Sequence, residues 1–220
     1  MGVDWNTFWP RIVEATGETI LMVILTLVFS SILGILMGLL FFVTREGNIL
    51  QNKYVFNILN LIVNIVRPIP FIILLVAITP ITREIVGTTI GTMAAVFPMT
   101  IAASFAIARI VENNLISVEP GIIEAAQAMG ARPIQIIFGV LIPEALGPLI
   151  LGLTFITVGL IDFSAMAGTV GGGGLGDLAM SYGYQRFDTS VMVVTVVILI
   201  LLVQIAQFTG NFLSKAVLRR

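Results

Sequence analysis

Long apolar runs constrain this sequence more than any other feature. The stretch from Thr19 to Val43 carries no charged side chain, and four later stretches are nearly as bare. A helix crosses the hydrocarbon core of a bilayer with about 20 consecutive, mostly apolar residues, and each stretch reaches that length. Charged residues make up 10% of the chain and hydrophobic ones 58%, whereas soluble proteins carry about 25% charge. A water-soluble fold would lack the polar side chains to cover its surface. The sequence therefore predicts an all-α, polytopic membrane protein embedded in a lipid bilayer. Asp4, Glu14 and Glu18 near the start do not fit a cleaved signal peptide, which needs a basic start and a short apolar core.

The expected spans are 19–43, 57–78, 88–107, 137–161 and 190–213, all within one transmembrane domain covering 1–220. Thr44-Arg45-Glu46-Gly47 ends the first, and Arg67-Pro68-Ile69-Pro70 interrupts the second. Pro98 lies near the middle of the third, and Pro143 and Pro148 lie inside the fourth. Five spans put the termini on opposite sides. One side then holds Arg45, Lys53, Arg109, Arg132, Lys215, Arg219 and Arg220, and the other Arg11, Arg83 and Arg186. Lys and Arg gather on the cytoplasmic side, so the amino terminus is expected outside and the carboxyl terminus in the cytoplasm. Five helices, each about 10 Å across, enclose little space. A second copy around a twofold axis, the commonest closed assembly, is the expected way to line a polar path.

Other chemistry is narrowed by what the chain does not contain. It has no histidine and no cysteine, which removes disulfides, thiol nucleophiles and the usual zinc ligands. No carboxylate cluster points to a metal. A net charge of −1 leaves no basic patch for nucleic acid. There is no Gly-x-x-x-x-Gly-Lys-[Ser/Thr] phosphate loop. No cofactor is expected on this chain.

The connection over 117–133 is the most informative. Pro120 suits the first position of a helix and Gly130 the residue just past its end, and Pro133 can open the next helix. The spacing predicts a helix of about 10 residues, about 15 Å long. At 100° per residue, Ile122, Ala126 and Met129 share one face, with Glu124 and Gln127 on the other. Ala125, Ala128 and Gly130 are small enough to admit a close partner. On pattern alone, this helix either rests on the membrane interface or docks against another protein.

Glu124-Ala125-Ala126, then Gly130, then Val140-Leu141-Ile142-Pro143 resembles the signature of permease subunits of ATP-binding-cassette (ABC) importers: Glu-Ala-Ala, three residues, Gly, nine residues, Ile-x-Leu-Pro. Val140 and Ile142 depart from it conservatively, and the spacing is intact. The resemblance covers nearly the whole chain. It is strongest toward the methionine-uptake branch, through Arg67 to Leu75, Ala108 to Asn113, Glu124 to Gln135, Ser164 to Met166 and Gly171 to Tyr184. It implies a channel-forming subunit rather than an enzyme, in a bacterial inner membrane, working as a homodimer. Its implied partners are two ATPase subunits, which hold the ATP and Mg²⁺, and an extracytoplasmic substrate-binding protein. The loop would be the coupling helix, with Glu124, Ala125, Ala126, Met129, Gly130 and Arg132 at the ATPase. The implied cargo is methionine; another small amino acid or a peptide, or an ion-coupled transporter without an ATPase, are the alternatives.

Several residues within or near the spans are candidates for the solute path. Arg67 with Pro68 and Pro70 predicts a kinked, polar break mid-span. If the span starts later, Arg67 instead snorkels to the interface. Asp162 faces a cavity or caps its helix, and an Arg67–Asp162 pair is one arrangement. Ser164 and Met166 match a Ser-Ala-Met segment that the resemblance places near the translocation axis. Met166 offers an adaptable apolar gate, and helix packing through small residues is the plainer role. Gly171, Gly174 and Gly176 belong to a tight outer or re-entrant loop rather than a dinucleotide site, since no strand precedes them. With Tyr182, this loop is expected to line the outer mouth or meet the binding protein.

Overall fold

The computed structural model describes residues 4–218, so Arg219 and Arg220 of the charge count lie outside the described residues. Every regular element among them is helical: α1 (Trp5–Thr44), α2 (Lys53–Val66), α3 (Phe71–Ala77), α4 (Thr79–Val86), α5 (Thr92–Ile116), α6 (Pro120–Ala128), α7 (Pro133–Ile136), α8 (Ile142–Gly168), α9 (Gly174–Leu178) and α10 (Thr189–Leu218). Four helical stretches are long and apolar enough to cross a membrane: α1, α5, the continuous run Pro133–Gly168, and α10. The α2–α3 pair makes a fifth, bent by 101° at its break.

The break follows from Arg67-Pro68-Ile69-Pro70. Pro68 and Pro70 supply no backbone N–H and disfavour helix in the residues before them. α2 stops at Val66, and α3 restarts after Pro70. A second irregularity lies at Ile137–Leu141, a π-helical turn joining α7 to α8. Pro143 would push its ring toward the carbonyl four residues earlier, and the wider turn relieves that crowding.

α5 is the central column. Along α1, Gly34 and Gly38 repeat at four residues and bring the two backbones close. A Cβ on Gly34 would lie 2.6 Å from Ile107 Cβ, and one on Gly38 2.5 Å from Val111 Cβ. Membrane helices associate through such small-residue contacts because lipid gives no hydrophobic drive between them. Met22, Met99, Ile107, Val111, Leu115 and Leu160 lie in the core around this seam.

The helices overrun the expected spans. α1 has 40 residues, about 60 Å at 1.5 Å per residue, against a hydrocarbon core of about 30 Å. Its early part, with Asp4, Arg11, Glu14 and Glu18, builds a second core with α9 and the start of α10: Phe8, Ile12, Leu175, Leu178 and Val191. Helix in the third span starts at Thr92, not at 88, because Gly91 before it has φ +96°.

Candidate functional site

The loop helix α6 is closed at both ends by local chemistry. Pro120 occupies its first turn. At its end, Gly130 has φ +81°, its N–H donates to the Gln127 carbonyl at 2.9 Å, and the Ala131 N–H donates to the Ala126 carbonyl at 3.1 Å. This pair of bonds is the Schellman arrangement, which requires a left-handed residue after the helix. The Arg132 N–H then donates to Gln135 Oε1 at 2.8 Å, and Pro133 opens α7.

Within α6 only Ala126 is buried, Ile122 and Ile123 are half-buried, and Glu124, Ala125, Gln127 and Ala128 are exposed. Met129, on the same face as Ala126 by spacing, does not share its burial: it is 82% exposed. It is the C-cap residue, with φ −76° and ψ 0°, and Gly130 turns the chain immediately after it. Arg132 is also exposed. α6 and its cap Met129 therefore present carboxylate, amide, methyl and thioether groups on a surface that no other described residue covers.

Beneath this loop lies a polar network. Arg109 on α5 donates through Nη1 to Glu112 Oε2 at 2.6 Å and through Nη2 to Asn64 Oδ1 at 2.9 Å. It also bonds Asn60, and its guanidinium lies 4.8 Å from the centre of the Phe41 ring. Glu112 is 2% exposed, and Arg45 approaches it at 3.8 Å. The network ties the ends of α1 and α5 to α2, next to a cavity of about 370 Å³. Above, Arg109 entered through the charge count and, with Glu112, as part of a segment that carries the family resemblance. Asn60 and Asn64 did not enter, although polar residues four apart on an apolar helix signal a buried partner.

The path candidates do not converge. Arg67 is exposed at the end of α2, with Pro68 and Pro70 exposed beside it. Just beyond, Phe71 of α3 stacks on Phe163 of α8, with centroids 4.3 Å apart and planes 11° apart. Asp162 is exposed toward α10, in a different groove, and no Arg67–Asp162 ion pair forms among the described residues. Ser164 is buried, and its hydroxyl donates to the Ile161 carbonyl at 2.7 Å. Within a single chain it is a packing residue, not an open path residue. Met166 is half-buried against the main core.

The glycine loop is tight. Gly174 and Gly176 are buried and Gly171 half-buried. Gly173 and Gly174 have φ +79° and +76°, which turns the chain so that α9 points its N–H groups at α1. Gly174 N–H donates to Glu18 Oε2 at 2.7 Å, and Leu175 N–H to Thr19 Oγ1 at 2.9 Å. A Cβ on Gly176 would run into the Ala165 backbone. Tyr182 bonds Arg11, meets Phe8 edge-on at 4.9 Å and carries Arg186 over its ring at 4.2 Å. These residues clamp α1 to the α9 region. The exposed aromatics there include Trp9, Tyr184 and Phe187.

Spanning helices, a break inside one span and a self-capped loop helix with an exposed face define a polytopic membrane subunit. The family model for the inner membrane component of binding-protein-dependent transport systems matches residues 30–219, and the chain belongs to that family. It is thus a transport component, not an enzyme.

Relatives are similar over nearly the whole length. A probable D-methionine transport system permease protein of Vibrio cholerae is 48% identical over 206 residues, 94% of this chain and 92% of that protein. The D-methionine transport system permease protein of Escherichia coli K12 is 46% identical over 157 residues, 71% of this chain and 72% of that one. Among solved structures, the MetNI methionine ABC transporter in an inward-facing conformation matches with TM-score 0.95 and 43% identity over 98% of this chain and 99% of that one. An amino acid ABC transporter matches at TM-score 0.78 with 19% identity, which shows likeness of fold alone.

Proposed function

We propose that this chain is the permease of an ATP-driven methionine importer. Two copies would form the solute path, two ATPase subunits would dock on the loop helices, and an extracytoplasmic binding protein would deliver the cargo. The observation that carries the reading is the near full-length identity of 48% to a D-methionine permease, joined to a loop helix whose outer face is free. In this reading α6 lies in the cytoplasm, where ATP is, and the amino terminus lies outside. Glu124, Ala125, Ala126, Met129, Gly130 and Arg132 meet the ATPase. Arg67, Pro68, Pro70, Asp162 and Met166 border the path when two copies are assembled, with buried Ser164 packed behind them. Gly171, Gly174, Gly176 and Tyr182 hold the shape of the outer mouth.

The mechanism follows from placement. ATP binding closes the ATPase pair and draws the two α6 helices together. α6 leads directly into α7 and α8, so its displacement moves the Phe163–Met166 region. The α2–α3 break absorbs rotation between bundle halves, and the cavity opens outward to receive cargo. Hydrolysis then restores the inward opening.

The test is growth and uptake. A methionine-requiring host expressing this chain with its ATPase and binding protein should grow at low methionine. Gly130→Val places a β-branched residue at φ +81°, a conformation that costs an L-residue about 1–2 kcal/mol. It should abolish rescue and cargo-stimulated ATP hydrolysis while the dimer still inserts. Undiminished coupling would sink the docking role of α6. Rescue by a different amino acid, and none by methionine, would remove the cargo and keep the permease.

A further inference from the structure

We propose that the groove between α8 and α10 carrying Asp162 and Gln204 is a transit site for a zwitterionic amino acid with an apolar side chain. We place this site on a water-lined wall that continues along α10 through Gln207 and Asn211. The inference rests on the importer reading above.

The groove holds about 280 Å³ and is walled by Ile161, Ala165, Leu199 and Val203, with Asp162 and Gln204 as its polar groups. Both polar side chains are exposed, and neither makes a hydrogen bond or ion pair among the described residues. An unpartnered charge against hydrocarbon is what membrane helices avoid; such residues face water or protein.

The pattern on α10 agrees. Gln204, Gln207 and Asn211 follow at spacings of three and four, which puts them on one face, and all three are exposed. Gly210 and Ser214, on the neighbouring face, are buried, with Ser214 donating to the Gly147 carbonyl of α8 at 3.2 Å. Ile205 and Phe212, turned away from the polar face, are 62% and 65% exposed and suit lipid. The polar stripe therefore borders the α8 contact, where a second copy would enclose water against it.

The chemistry of the groove selects its occupant. A carboxylate accepts from an α-ammonium group, and the Gln204 amide N–H can donate to an α-carboxylate. The aliphatic walls then take up an unbranched, apolar or thioether side chain. One wall bearing both polar groups holds the zwitterion without requiring a strong charge for each end. This suits a site that must release its cargo.

The chain contains no cysteine, so single-cysteine labelling reads the site directly. In the assembled transporter in membranes, Gln204→Cys, Gln207→Cys and Asn211→Cys should react with a charged, water-soluble thiol reagent. Ile205→Cys and Phe212→Cys should react at least about tenfold more slowly, because the charged reagent is excluded from lipid. Ile200 lines the same groove one turn before Gln204, and methionine at ten times its half-saturating concentration should slow labelling of Ile200→Cys about tenfold by occupancy and leave Asn211→Cys unchanged. Adding Asp162→Asn to Ile200→Cys should remove that protection. Equal labelling of both faces would overturn the water-lined wall. Labelling without protection by the transported cargo, or protection that survives Asp162→Asn, would overturn the transit site. If uptake shows a different amino acid as cargo, methionine is lost from the function, and protection by that amino acid decides the site.

Discussion

The two ends of this bundle handle their short helices in opposite ways. At one end, α9 is closed by distant residues: Glu18 and Thr19 of α1 accept its first N–H groups, and most of its side chains are buried. At the other end, α6 is closed by its own neighbours in sequence, through Gly130 and Ala131. Only Ala126 of its residues is buried. α9 takes its conformation from the bundle, so it acts as a clamp. α6 is capped within its own segment and leaves its outer face uncovered by the described residues. The docking proposed for α6 would use that free face.

The comparison breaks most visibly at the base beneath α6. Glu112→Ala would leave Arg109, with a side chain 17% exposed, as a largely buried cation held only by Asn60, Asn64 and the face of Phe41. Removing one member of a buried ion pair costs about 3 kcal/mol or more. Thermal unfolding of the detergent-solubilised dimer should show this as the largest loss. The Glu112→Ala, Arg109→Ala double variant should lose less than the sum of the singles, because the two side chains are coupled. Additive losses would mean that the network does not act as a unit, and the α6 end would then rest on apolar packing alone.

Much of this contrast can be read from the sequence, and the unreadable part has physical causes. Pro120, Gly130 and Pro133 mark the ends of α6 because helix capping is local. The α2–α3 break is equally local, set by two prolines. The angle of that break depends on packing, including Phe71 against Phe163. The early part of α1 escaped because Arg11, Glu14 and Glu18 interrupt the hydropathy, although Phe8, Ile12 and Ala15 repeat at spacings of four and three and pack on α9. Met129 shares a face with Ile122 and Ala126 by spacing, but whether the bundle reaches a residue at the cap depends on packing, which spacing does not give. The clamp role of Gly173 and Gly174 needs a partner 156 residues away, and local spacing cannot supply one.

A smaller effect is expected at the α9 end. Gly176→Ala would drive a methyl group into the Ala165 backbone, and backbone cannot rotate aside as a side chain can. Overpacking of this kind costs about 1–3 kcal/mol. The loss should appear in thermal unfolding, together with weaker protection of the Gly174 and Leu175 amides in hydrogen exchange. Normal exchange protection at those amides would show that α9 tolerates separation from α8, and the clamp description would fall.

The smallest stability effect sharpens the contrast further. Met129 is 82% exposed and touches little of its own chain, so Met129→Ser should change stability by no more than about 0.5 kcal/mol, the usual range for surface positions. An apolar side chain held open at the end of a self-capped helix is nonetheless the kind of group a partner's cleft can bury, at up to about 3 kcal/mol for a full Met side chain. Cargo-stimulated ATP hydrolysis in the reconstituted complex should therefore fall severalfold, with unfolding and dimer assembly unchanged. Gly176→Ala should show the reverse, a clear loss in unfolding with coupling retained in whatever folded protein remains. If Met129→Ser leaves coupling intact, the exposed face of α6 is lipid-facing surface, and its freedom from the bundle has some other purpose than docking.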